Sequence, residues 1–280
     1  MRVAIYHQQG YYRSEALADA MARGLVRHGH QPVRLRIDEF AGVRGEAAIF
    51  YGFGADAPQI MQAYRAKGYP VVNMDLGYWS RDSRKRMQGY NKVSVNARHP
   101  DAYFMRRAQP SDRFDQLGLQ IAPWRSDGGP IVVCGMSDKA ARASGLRFLE
   151  WETDIVSRIR ALTDRPIVFR AKPNKRKSFA SLPGVESVSS EIPIEQALRG
   201  AWACVARHSN ACADALISGV PVYCEEGIAS ALSMRLEQID NPPLPDGREQ
   251  WAWNAAYCQW TTDEMRNGEC WAFLKNEGLV

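Results

Sequence analysis

Short apolar runs alternate with amphipathic stretches from Arg2 to Met74. Arg2 to Tyr6, a short apolar run, and Pro32 to Ile37, Ala47 to Tyr51 and Pro70 to Met74 read as strands. Between them, Ser14 predicts a capped helix through Gly24 to Arg27, and Pro58 to Ala66 predicts a second helix. Strand and helix in alternation predict βαβ units and a mostly parallel sheet. After Asp75 the periodicity lapses into a segment rich in Gly, Ser and Arg that runs to about Arg98. Irregular stretches that follow a parallel strand are where such folds place ligands.

The turn-forming residues of 122–130 read as a linker, and a second series follows it. Ile131 to Cys134 and Pro166 to Arg170 predict strands, while Trp151 to Leu162 and Ile194 to Leu198 predict helices. Ala201 to Ala206 predicts a further buried strand. Ser209 then suits the N-cap of a helix that runs to Ser218, Gly219 suits its left-handed stop, and Pro221 opens the next strand, Val220 to Cys224. A helix that starts at a strand's carboxyl end favours an anion there, although the same pattern serves an ordinary capped helix. The expected architecture is α/β, with two Rossmann-like domains facing a cleft, residues 1–125 and 126–280, and a C-terminal helical tail. In that tail Thr261 to Glu264 fits a capping box, and Trp251, Trp253, Trp260 and Trp271 suit packing more than ligand binding.

Composition narrows the class. The 280 residues are 45% hydrophobic and 24% charged, as in a soluble globular protein. No apolar stretch approaches a membrane span and the first residues do not form a signal peptide, so a cytoplasmic location is expected. The six cysteines include no C-x-x-C pair, which points to neither zinc nor a disulfide framework. The net charge of +5 divides into +8 over residues 1–125 and −3 over 126–280. Arg81, Arg84, Lys85, Arg86, Lys92 and Arg98 are interleaved with Tyr78, Trp79, Tyr90 and Tyr103. Basic residues among aromatics suit a polyanion with stackable bases, and equally a solvated face over buried rings.

The second half resembles the donor-binding domain of GT-B glycosyltransferases. The likeness is carried by Ser209, Asp214, Ala215, Gly219, Pro221 and Val222, by Val132-Val133-Cys134-Gly135-Met136-Ser137, and by Arg170-Ala171-Lys172-Pro173. The last thirty residues match a crossing tail helix in position, and the first half is similar only in general architecture. Asp75-Leu76-Gly77-Tyr78-Trp79, Asn91 to Tyr103 and Gln259-Trp260-Thr261 look similar to phage-encoded members, some of which modify hydroxymethylated DNA.

The resemblance implies a nucleotide-diphosphate sugar as donor, UDP-linked by expectation, and a hydroxyl acceptor held by the first domain. The leaving diphosphate would meet Arg170, Lys172, His208, Ser209 and Asn210, with Gly135 and Ser137 letting backbone approach. Asp214 takes the acidic position that binds ribose hydroxyls. Asp75 is the favoured base, with His7 and His99 as competitors. Tyr78, Trp79, Arg81, Arg84, Lys85, Arg86 and Arg98 are the expected acceptor residues. No paired acids suggest a metal, so metal-independent transfer by a monomer is expected, with a hydroxymethylated pyrimidine in DNA as acceptor. Alternatives are a surface polysaccharide or small glycan as acceptor, and a non-catalytic nucleotide- or DNA-binding protein. For a phage-encoded enzyme the location would be the host cytoplasm.

Overall fold

The computed structural model describes residues 1–81, 88–125, 128–172, 180–189 and 191–280. They form two compact units, 1–117 together with 253–280, and 118–252. The sequence reading divides the chain after residue 125 and assigns the tail to the second half.

The first unit is a six-stranded sheet. Its elements are β1 (Arg2–His7), α1 (Tyr12–Arg27), β2 (Gln31–Arg36), β3 (Ala47–Tyr51), α2 (Ala57–Arg65), β4 (Val71–Leu76), β5 (Asn91–Val95) and α3 (Asp112–Asp115). Val3, Ala4 and Ile5 in β1 and Ala47 to Phe50 in β3 are fully buried, the reason these runs read as continuously apolar. On α1, Leu17, Ala18, Met21 and Leu25 form the buried stripe. Ser14 is not its cap. The helix starts earlier, after Tyr11, and buried Ser14 accepts a hydrogen bond from the Gln8 amide at 2.9 Å, tying the preceding loop to the first turn.

The second unit begins with β6 (Ile131–Cys134), α4 (Asp138–Ala143), α5 (Glu150–Arg160), β7 (Ile167–Arg170) and β8 (Glu186–Val188). It continues with α6 (Ile194–Ala197), β9 (Ala203–Ala206), α7 (Ala211–Ile217) and β10 (Val222–Cys224), and the boundary at residue 252 falls within α8 (Arg248–Ala256). The five strands are parallel, in the order β10-β9-β6-β7-β8. This is the Rossmann order, and it reverses direction between β6 and β9. Gly219, at φ +77°, ends α7 as the sequence predicts, and a Cβ there would lie 2.0 Å from the Pro123 carbonyl.

The remaining elements, β11 (Gln259–Trp260), α9 (Thr262–Asn267) and α10 (Glu269–Asn276), complete the first unit. Strand β11 pairs antiparallel with β5, giving the order β11-β5-β4-β3-β1-β2. Strands β1 to β4 are parallel, and β5 runs against β4. Here the order reverses between β1 and β3. Thr261 caps α9 in the predicted box with Glu264. No helix among the described residues is long and apolar enough to cross a membrane.

Candidate functional site

In the second unit, register aligns Cys134 with both Arg170 and Ala206. The chain therefore leaves β6, β7 and β9 side by side, at the carboxyl edge where a doubly wound sheet places its ligands. Three segments meet that edge: 135–137, 170–172 and 207–210. Register sets Arg170 beside the buried Cys134 at the end of β6, and both Arg170 and Asp214 act electrostatically on that thiol. Asp214 is 6% exposed, inside α7. Three buried thiols cluster here, Cys204 lying 4.0 Å from Cys134 and 3.9 Å from Cys212. Hydrogen bonding to Cys204 and burial push the Cys134 and Cys212 thiols well up, while the same bonds hold Cys204 down.

Several of the predicted donor residues hold the loops themselves. Ser137 caps α4, accepting from the Ala140 amide at 3.2 Å. Gly135 is required by packing, because a Cβ would lie 2.8 Å from the Phe169 ring. The Ser209 hydroxyl accepts from the Ala211 amide at 3.1 Å, the bond expected of it as the cap. Asn210, which directly precedes α7, makes no side-chain capping bond and already has helical dihedrals. Arg170 donates to the Ile192 carbonyl at 2.9 Å, and the Lys172 side chain is exposed. Arg207 pairs with Glu226 at 3.2 Å and Glu225 at 3.6 Å. Glu152 escapes sequence reasoning. It is 1% exposed, and its Oε1 accepts from the Met136 amide at 2.6 Å, fastening the loop after β6.

In the first unit, Asp75 lies near the end of β4, where its Oδ1 accepts from the Leu76 amide at 2.8 Å. Register sets Lys92 of β5 directly across from Asp75, and Gln259 of β11 directly across from Lys92. Residues opposed in antiparallel strands share a face, so these three form a row. The Lys92 ammonium donates to His99 Nδ1 at 3.1 Å, with both residues buried. The structure thus sets two of the candidate bases by Lys92, Asp75 across from it in the sheet and His99 at its ammonium. His7 ends β1, with β3 between it and β4, and does not join them.

Lys92 therefore belongs to a buried polar row, not to an exposed basic patch. Tyr78 and Trp79 are also buried, at 1% and 3% exposure, so their rings offer no surface for stacking bases. Burial holds the Tyr78 phenol well above its ordinary range. Their backbone is pinned by Gln259, whose Oε1 accepts from the Tyr78 and Trp79 amides at 2.8 and 3.1 Å. Gly77 has no room for a side chain, since a Cβ would lie 2.6 Å from the Tyr90 carbonyl. Arg81 donates to the Tyr78 carbonyl at 2.7 Å, and Arg98 lies over the Phe53 ring at 5.6 Å. Arg84, Lys85 and Arg86 fall outside the described residues. A glutamine in a tail and a lysine in a polar strand carry no motif, which is why Gln259 and Lys92 were missed as partners of Asp75. Among the described residues no group of His, Cys, Asp or Glu is placed to hold a metal ion.

No protein-family model and no curated protein matches the sequence. The structure is similar to the β-Kdo 2,4 transferase of Thermosulfurimonas dismutans KpsC, with a TM-score of 0.58 and 12% identity over 92% of this chain and 90% of that one. It is also similar to the β-Kdo 2,7 transferase of the same KpsC, with a TM-score of 0.51 and 12% identity over 98% of this chain and 100% of that one. Both likenesses are of fold, and the shared fold is that of GT-B glycosyltransferases.

Proposed function

We propose that the chain transfers a glycosyl group from a nucleotide-diphosphate sugar to a hydroxyl acceptor, without a metal. The observation that carries this reading is the convergence of 135–137, 170–172 and 207–210 at the edge where the second sheet reverses order, with Arg170 across from Cys134. The similarity in fold to two sugar transferases supports it. In this reading Arg170, Lys172 and the polar segment His208 to Asn210 take the diphosphate, and Asp214 takes the ribose hydroxyls. Asp75 accepts the proton of the acceptor hydroxyl as its oxygen bonds to the anomeric carbon. The bond to the diphosphate breaks, and the diphosphate leaves with the electron pair.

Two acceptors follow from this reading. A hydroxymethylated pyrimidine in DNA is supported by the +8 charge of residues 1–125. A carbohydrate hydroxyl is favoured by the burial of Tyr78 and Trp79, which removes the rings expected to stack on bases. Mass spectrometry after incubation with a panel of nucleotide sugars, against hydroxymethylated DNA and against oligosaccharides, tests both. The expected result is a sugar-sized mass increment on one acceptor class, reduced by about 10²-fold or more in Asp75→Asn. Nucleotide binding without turnover on either class would favour a non-catalytic binding protein.

A further inference from the structure

The buried rings of Tyr78 and Trp79 contrast with two exposed ones. Tyr11 and Tyr12 are 44% and 54% exposed, in a protein whose large apolar side chains are mostly covered. They end the loop after β1, at the point where the first sheet reverses order, and the neighbouring loop, residues 52–56, follows β3. Tyr51 closes β3 with its ring 5.8 Å from that of Tyr11, and Phe53 follows under the Arg98 guanidinium. Register sets Tyr51 across from Met74, the residue before Asp75. An open aromatic edge thus stands at the first unit's own ligand position, beside the residue read as the base.

Charge selects the occupant. Residues 8–12 and 52–56 contain no lysine or arginine and carry Asp56; Arg13, the next residue, is buried, and Arg98 lies over the Phe53 ring. Among the described residues of this edge a nucleic-acid strand would therefore meet one partly exposed cation, Arg98, where it needs several. A neutral sugar needs none, because tyrosine offers an apolar face to its C–H groups and a hydroxyl to its oxygens. We propose that the edge formed by Tyr11, Tyr12, Tyr51 and Phe53 is a subsite for a neutral carbohydrate, which presents its hydroxyl toward Asp75. The proposal rests on the glycosyl-transfer reading and names its acceptor class.

The test uses the whole chain, with neutral di- and trisaccharides of glucose, galactose and N-acetylglucosamine as probes and a short DNA duplex as the second arm. Binding is followed by saturation-transfer NMR. A saccharide from the panel binds, and Tyr11→Ala with Tyr12→Ala weakens it about tenfold while the melting temperature holds, because both rings are exposed. Phenylalanine at both positions retains the rings and most of the affinity. The proposal is overturned if no saccharide binds, if the double alanine variant binds as well as the parent, or if only the duplex binds. Tyrosine-dependent saccharide binding with no turnover of any nucleotide sugar would uphold the subsite and overturn the transferase reading.

Discussion

Gln259 is fully buried and uncharged, yet one of its oxygens receives two backbone amides from the loop that follows Asp75. Gln259→Ala leaves both N–H groups buried without an acceptor, at about 1–3 kcal/mol each, so a loss of several kcal/mol is expected in urea denaturation. If the loop positions Asp75, kcat falls more than acceptor KM rises, and a stability change without that split would confine Gln259 to a structural role. His30 makes a second prediction at this scale. Its pKa is lowered by burial above all, and then by the positive charges of the amino terminus, His28 and Lys275; its ring stands edge-on to Trp271 at 5.5 Å. The unfolded chain therefore binds this proton more readily than the folded one. The contribution is present above the unfolded pKa, about 6.5, and is lost as pH falls through the lower folded value. Melting temperatures at pH 7.5 and 5.5 should differ less in His30→Gln than in the parent.

Between elements, glycines decide how closely helices and loops approach. Gly24 lies inside α1, where alanine is ordinarily better by about 1 kcal/mol. Here a Cβ would meet the Met265 carbonyl of α9 at 2.1 Å, with Gly268 behind it at 3.1 Å. Backbone cannot yield as a side-chain tip does, so Gly24→Ala should destabilise by roughly 1–3 kcal/mol, the range for overpacking. A thermal midpoint at or above the parent's would refute the close approach of α1 and α9. The central parallel strands and α1 were legible because burial on both faces, or on one stripe, writes itself as an apolar run or a helical period, whereas β8, three residues with Glu186 and Ser187 exposed, left no such run. Strand β5 was not legible. Its Asn91, Lys92 and Ser94 are polar and buried together, so Asn91 to Val95 reads as part of an irregular loop. The same burial hid the row of Asp75, Lys92 and Gln259, of which the sequence suggested only Asp75 as chemistry. In the second unit the residues at the strand ends were legible by position. Their division of labour was not, because the cap of Ser137 and the hold of Glu152 on Met136 depend on the fold.

At the scale of the whole chain, the tail decides what counts as a unit. Residues 253–280 lie far in sequence from 1–117, yet they add the edge strand β11 and pack Trp260, Trp271 and Leu274 to 4% exposure or less. Arg113 fixes this return. It donates to the Gln259 and Ala256 carbonyls at 2.8 and 3.3 Å, pairs with Glu264 at 2.6 Å and lies 3.9 Å from the centre of the Trp260 ring. The capping box at Thr261 was readable, but a two-residue strand leaves no period, so the pairing that joins the tail to the first sheet was not. Burial of each large side chain contributes about 1.5–3 kcal/mol, against a total stability of about 5–15 kcal/mol for a domain. Removing residues 258–280 deletes three such side chains, the acceptor for Tyr78 and Trp79, and the partner of β5. The loss equals or exceeds what a domain holds, so the first unit should fail to fold. The second unit draws no residue from that segment. Limited proteolysis of the truncated chain should therefore cut within 1–117 first and leave 118–252 resistant, whereas cleavage spread evenly over both would show that the tail does not belong to the first unit alone.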